Sequence, residues 1–241
     1  MSIKTTIALL AFLALPVAVA TADESRMLAD ELTNAPGRGD EDKQRDAQRR
    51  PDQVLTFLGI RAGDTVLDIW AAGGWYTEVL SIAVGPDGKV YSQNPQAVLN
   101  FSDGRYEKLL TERLANGRLA NVERVDAAVI DLDIPPASVD FAFSALNFHD
   151  VYNRQGKEAA GEFLAGVFNL LKPGGTLSYF EYAYIRPLRT KLTLGKTRQK
   201  INGVNAIVTE HLANHRIHRD NVLVNFPPAW AQHLRIEQPQ H

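Results

Sequence analysis

Asp68 lies in a short apolar run with Val66, Leu67 and Ile69, and the small residues Ala71 to Gly74 follow. An apolar run of that length with β-branched residues predicts a buried strand, then a tight turn into a helix starting near Trp75. A ligand lying over such a turn meets backbone N–H groups with little side-chain obstruction. In an open parallel sheet that crevice, at the carboxyl ends of the strands, is where cofactors bind. Gly73 and Gly74 therefore either cradle a ligand or simply close a tight turn. Asn147, His149 and Asp150 form a second group, placed after another predicted strand, Ser138 to Ala145. Imidazole titrates near neutral pH, so His149 is either a general base oriented by Asp150 or Tyr152, or a strand-end residue bonded to backbone.

The elements that must position these groups alternate strand and helix. Pro51 suits the first turn of a helix carrying Val54, Leu55, Phe57 and Leu58. After the helix that starts at Trp75, Gly85 to Gly88 form a turn cluster and Lys89 to Gln93 a second strand, ending at Asn94. A helix covers part of Ala97 to Ala115, interrupted at Asn100 to Gly104; Asn121 to Val125 is a third strand, followed by Asp126. Gly161 to Leu171 is an amphipathic helix and Thr176 to Glu181 a fifth strand. That rhythm predicts right-handed crossovers and a parallel sheet. Asn221 to Phe226 and His233 to Glu237 are two closing strands, a hairpin-like edge.

The chain has 241 residues, a net charge of −2 and no cysteine. Such a length fits one domain with extra terminal segments, and the charge balance does not fit a general nucleic-acid binder. Without thiols, disulfides and thiolate zinc sites are excluded. Residues 1–22 have a lysine, an apolar stretch from Ile7 to Val19 and small residues at Ala18 and Ala20, the pattern of a cleaved export signal. The expected location is periplasmic or secreted, the alternative being a membrane anchor through an uncleaved amino terminus. Residues 23–50 read as a charged helical lead-in with solvated arginines, and residues 51–241 as the main domain. Between Ile185 and Asp220, eight Lys or Arg stand against two acids, a segment suited to peripheral contact with an anionic membrane or to a solvated basic face. His149, His211, His215, His218, His233 and His241 form no convincing ligand set, so no metal is expected.

Taken together, VLDIWAAGGWYTE (Val66 to Glu78), GKVYSQNP (Gly88 to Pro95), VDFAFSALNFHD (Val139 to Asp150) and LLKPGGTL (Leu170 to Leu177) make the chain resemble class I S-adenosylmethionine-dependent methyltransferases. With the RD and RRP that precede them, from Arg45 to Pro51, they look more narrowly like a bacterial subgroup that often carries export signals. The resemblance implies an α/β fold, a Rossmann-like doubly wound seven-stranded sheet, mostly parallel with an antiparallel last strand, and helices on both faces. It implies S-adenosyl-L-methionine as cofactor, held by Asp68, Trp70, Ala72, Gly73 and Gly74 on the methionine side. Asn94 takes the position of the family's ribose-gripping acid, Asp126 that of the acid on the adenine amine, and Asn147, His149 and Asp150 that of substrate-facing groups, with Asn147 also counted among the cofactor-binding residues. The implied activity is methyl transfer to a small-molecule or lipid acceptor, with His149 and Asp150 as candidate catalytic residues. The alternative is an exported, non-catalytic ligand-binding protein with the same fold.

Three positions depart from that family's pattern. Trp70 and Ala72 stand where it has glycine, and Asn94 stands where it has an acid. Ala costs little if its backbone angles are negative, whereas the Trp70 indole either turns onto the core or reshapes the pocket. A nicotinamide site fits poorly, because the Gly-x-Gly-x-x-Gly spacing is missing and no acid ends the second strand.

Overall fold

The protein is described here by a computed structural model covering residues 22–145, 147–182, 216–222 and 229–235; side chains are described for 23–145 and 147–179. Residues 1–21 of the expected export signal lie outside the described residues, and so does most of the basic segment 185–220.

Two helices, α1 (Ala22–Asn34) and α2 (Asp40–Arg49), form the lead-in, and α3 (Pro51–Leu58) opens on its proline. There follow β1 (Thr65–Ile69), α4 (Trp75–Val84), β2 (Lys89–Gln93), α5 (Gln96–Leu99) and α6 (Phe101–Leu114). Next come β3 (Val122–Val125), β4 (Val139–Ala145), α7 (Phe148–Leu170) and β5 (Leu171–Tyr182). The expected interruption of the helix after β2 is real: Ser102, Asp103 and Gly104 all have positive φ. The helix before β5 begins earlier than its apolar pattern indicates, at Phe148, and is broken at Gly156 with φ 93°.

The expectation of a seven-stranded doubly wound sheet requires a correction. The helix-covered sheet has five strands, all parallel, in the order β3-β2-β1-β4-β5. Beyond β5 the chain adds β6 (Arg216–Val222) and β7 (Ala229–Arg235), and β7 pairs antiparallel with both β5 and β6, so the full pairing order reads β3-β2-β1-β4-β5-β7-β6. These strands start at 216 and 229, ahead of the positions expected from the sequence, and β7 lies between β5 and β6. A parallel crossover takes about a dozen residues or more, which the link 223–228 does not provide, so β7 runs antiparallel to β6.

Helices do cover both faces of the parallel sheet. On one, Val66, Val90 and Phe143 pack with Val54, Leu55 and Leu58 of α3 and Val79 and Leu80 of α4. On the other, Leu67, Ile69, Ala142 and Tyr179 pack with Phe163, Leu164 and Val167 of α7. The alternation of Val66 and Leu67 between faces is the period of two that a strand imposes.

The lead-in is not simply a solvated face. Leu32 is 2% exposed and Arg38 5%, and Arg38 donates to Asp46 at 2.7 Å. Arg113 of α6 donates to Asp42 of α2 at 2.7 and 3.2 Å and also pairs with Glu78 of α4, which Arg118 holds from its other oxygen. Arg45 and Arg49 each place a guanidinium 5.9 Å from the centre of the Trp75 ring. Glu78 is thus the buried anion to which α4, α6 and, through Arg113, α2 are tied. Removing one partner of a buried ion pair leaves uncompensated charge, at a cost of about 3–5 kcal/mol. Glu78→Ala is therefore expected to lower the unfolding free energy by about 3 kcal/mol in urea denaturation; a change within the error of the measurement would contradict this role.

Candidate functional site: the turn after β1

β1 ends between β2 and β4, the point where the strand order reverses, and its carboxyl end delivers the chain into the turn Trp70 to Gly74. Trp70 and Ala72 both have φ 53°, and Gly74 has φ 76°. Left-handed backbone costs a residue with a Cβ roughly 1–2 kcal/mol, so Trp70 and Ala72 are the strained members. The condition under which Ala72 would be harmless, negative backbone angles, is not met. At Gly74 a side chain would face both the positive φ and a Cβ contact 2.7 Å from Leu110 Cδ1, so Leu110 would have to shift.

The turn is held by side chains from three directions. Gln93 Oε1 accepts the Trp70 N–H at 3.1 Å, and Asn147 Nδ2 donates to the carbonyls of Ile69 at 3.0 Å and Trp70 at 3.3 Å. Asn94 Oδ1 accepts the Ala72 N–H at 2.8 Å, while its Nδ2 donates to the Ala72 carbonyl at 3.3 Å. Arg113 Nε donates to the Gly73 carbonyl at 3.1 Å. Ser144 in turn holds Asn147 through a hydroxyl donated to Oδ1, and Gln93 Nε2 reaches Ala127 O at 2.6 Å beside the end of β3. The Trp70 indole takes the first of its two expected courses and packs against the core beneath α7.

The structure brings Asp68, the turn, Asn94 and Asn147 together, in roles that differ in part from those the resemblance implies. Asp68 is 2% exposed and accepts the Thr77 hydroxyl at 2.7 Å, so its carboxyl supports the turn from the α4 side. Asn94 is fully buried and spends both amide atoms on Ala72. Asp126 stands further along the carboxyl edge, accepting Arg124 Nε at 2.7 Å, and Arg124 also binds Glu107. His149 and Asp150 open α7 next to Asn147, with His149 Nε2 3.8 Å from Asp150 Oδ1 and Arg154 Nε 3.6 Å from the same oxygen. Arg154 also lies 5.9 Å from the centre of the Phe101 ring, so the segments that follow β2 and β4 meet across the end of β1. Gln93 and Arg113 were not singled out by the sequence reading. The one signal for Gln93 is a pair of consecutive amides ending β2 opposite a turn short of glycine.

Among the described residues no group of three His, Asp or Glu side chains could hold a metal ion. An open cleft of about 1060 Å³ lies at the other end of the sheet, between Gly85 to Lys89 and Arg118 to Glu123, away from the turn.

Known proteins supply an independent comparison. No protein-family model matches the chain. A methyltransferase dependent on S-adenosylmethionine from Aquifex aeolicus superposes with a TM-score of 0.60, covering 80% of this chain and 93% of that one at 24% identity. This chain has the S-adenosylmethionine-dependent methyltransferase fold. The N-methyltransferase NodS of Bradyrhizobium japonicum, solved with S-adenosyl-L-homocysteine, shares that fold at a TM-score of 0.52 and 16% identity, over 90% of this chain and all of that one (100%). In sequence, the ubiquinone/menaquinone biosynthesis C-methyltransferase of Salmonella arizonae is 32% identical over 138 residues, 56% of this chain. The chain spans about half the length of the curated relatives it matches, 50%.

Within the methyltransferase fold, Asp68 has an electrostatic consequence. Burial pushes its carboxyl up to about 7, against the Thr77 hydroxyl, which favours the charged form. The folded state therefore holds this proton more tightly than the unfolded state does. The Asp68 contribution to stability is complete below the ordinary value of 3.8 and is lost as the pH rises through about 7. Between pH 5 and pH 8 the wild type is expected to lose roughly 2–3 kcal/mol more unfolding free energy than Asp68→Asn, which keeps an acceptor for Thr77. Parallel losses in urea titrations of the two proteins would contradict the assignment.

Proposed function

We propose that the chain is a class I S-adenosylmethionine-dependent methyltransferase acting on a small-molecule or lipid acceptor. The observation that carries the reading is the left-handed turn after β1, set at the strand-order reversal with backbone where a cofactor approaches. Ala71 to Gly74 would hold the cofactor's methionine part, and Asp126 its adenine. Transfer from a sulfonium needs an in-line approach of nucleophile to methyl, so positioning supplies most of the catalysis. His149, oriented by Asp150, takes the acceptor's proton. The relatives named for quinone biosynthesis support an acceptor of lipid character, and the basic segment 185–220 would bring it from a membrane surface.

A second reading, a binding protein that keeps the fold without catalysis, draws on Asn94: its side chain is engaged with Ala72 where the family has an acid for the ribose. Calorimetric titration with S-adenosylmethionine and S-adenosylhomocysteine tests the cofactor site. Binding near micromolar is expected, and no heat from a well-folded protein would overturn the enzyme reading. His149→Ala then separates the two readings. With methyl transfer measured by a labelled cofactor, the variant should lose turnover at unchanged cofactor affinity, and full activity would remove His149 from the mechanism. Export through residues 1–22 is part of the proposal; a mature protein recovered from the periplasm and beginning near Thr21 or Asp23 supports it, and a cytoplasmic protein retaining Met1 opposes it.

A further inference from the structure

Two residues in the turn combine a Cβ with left-handed backbone, and each has both its N–H and its C=O held by side-chain amides. Trp70 has its N–H on Gln93 and its carbonyl on Asn147. Ala72 has both groups on Asn94. A glycine turn needs no such help, since glycine adopts positive φ without a steric penalty. A carboxylate could not replace Asn94 here, because it accepts hydrogen bonds but, when ionised, has no hydrogen to donate to the Ala72 carbonyl.

We propose that Gln93, Asn94 and Asn147 are positioning residues that hold the cofactor turn in its left-handed form in place of glycine, and that Asn94 is a clamp on Ala72 instead of a ribose ligand. This rests on the cofactor reading of the crevice. It makes one linked change out of what looked like separate departures from the methyltransferase pattern. Side chains at 70 and 72 require amides around them, and the amide at 94 takes the place of the acid. The Trp70 indole, packed on the core, anchors the same turn from below. The ribose hydroxyls are then left to backbone groups or to another side chain along the carboxyl edge.

A double-mutant cycle on the full chain tests the clamp, read both by S-adenosylhomocysteine titration and by urea unfolding. If Asn94 gripped the ribose, Asn94→Asp would tighten binding, since a carboxylate makes charge-assisted bonds to hydroxyls. As a clamp, Asn94→Asp sets an anion against the Ala72 carbonyl, and affinity should fall about tenfold or more. Asn94→Ala should weaken binding similarly, and adding Ala72→Gly should restore most of the loss, because glycine needs no clamp. Neither a ribose ligand nor a residue important only to general stability predicts that rescue. Tighter binding by Asn94→Asp, or a double variant as weak as Asn94→Ala alone, would overturn the clamp. If Asn94→Ala does not fold, the direction of the Asn94→Asp change in affinity still separates the clamp from a ribose ligand. A wild type that binds no S-adenosylhomocysteine overturns the cofactor reading and the positioning role with it. Independent unfolding effects at 94 and 72 overturn the clamp whether or not the cofactor binds.

Discussion

Keeping the chain after β1 in left-handed backbone, with side chains present at Trp70 and Ala72, is the constraint around which the rest of the structure is arranged. The backbone strain is local, but its compensation is not. It comes from the end of β2, through Gln93 and Asn94, and from the residue before α7, through Asn147. Strand order explains why these three can reach one turn: β2 and β4 flank β1, so the segments leaving their carboxyl ends stand on either side of it. The parallel sheet therefore does more than supply a core. It brings together amides distant in sequence, within hydrogen-bonding reach of one short turn.

A second layer of order lies in the ionic contacts around Glu78. That buried carboxylate meets Arg113 and Arg118, and Arg113 also binds Asp42 in the lead-in and the Gly73 carbonyl in the turn. One guanidinium thus links α2, α4, α6 and the glycine end of the turn. Nearby, burial pushes Asp46 up to about 6, with Arg38 opposing the shift. A charged lead-in that looks like a solvent-facing helix has become a strut behind the candidate site.

Much of the fold was legible because the parallel strands carry short apolar runs and their turns carry glycine and proline. Val66 to Ile69 and Lys89 to Gln93 are strands as expected, and Trp75 opens a helix. The extent of the parallel sheet and the place of the closing strands were not legible, because periodicity marks a strand without saying which strand it pairs with. Asp68, Trp70, Asn94 and Asn147 were named from their positions in the sequence and stand in or around one turn, but their contacts were not legible. Sequence spacing shows that an amide stands where an acid is expected; only the geometry shows that it faces the Ala72 backbone. The lead-in was read as solvated because composition cannot reveal that Arg38 is buried and donates to Asp46.

The measurement that bears most directly on the proposed cofactor crevice is an amide-resolved NMR titration of the folded protein with S-adenosylhomocysteine. Backbone amides of the turn from Trp70 to Gly74, together with Asn94 and those near Asp126, should shift in a saturable manner. Shifts confined to the opposite cleft, at Gly85 to Lys89 and Arg118 to Glu123, or no shifts at all, would contradict the placement of a cofactor over the turn after β1.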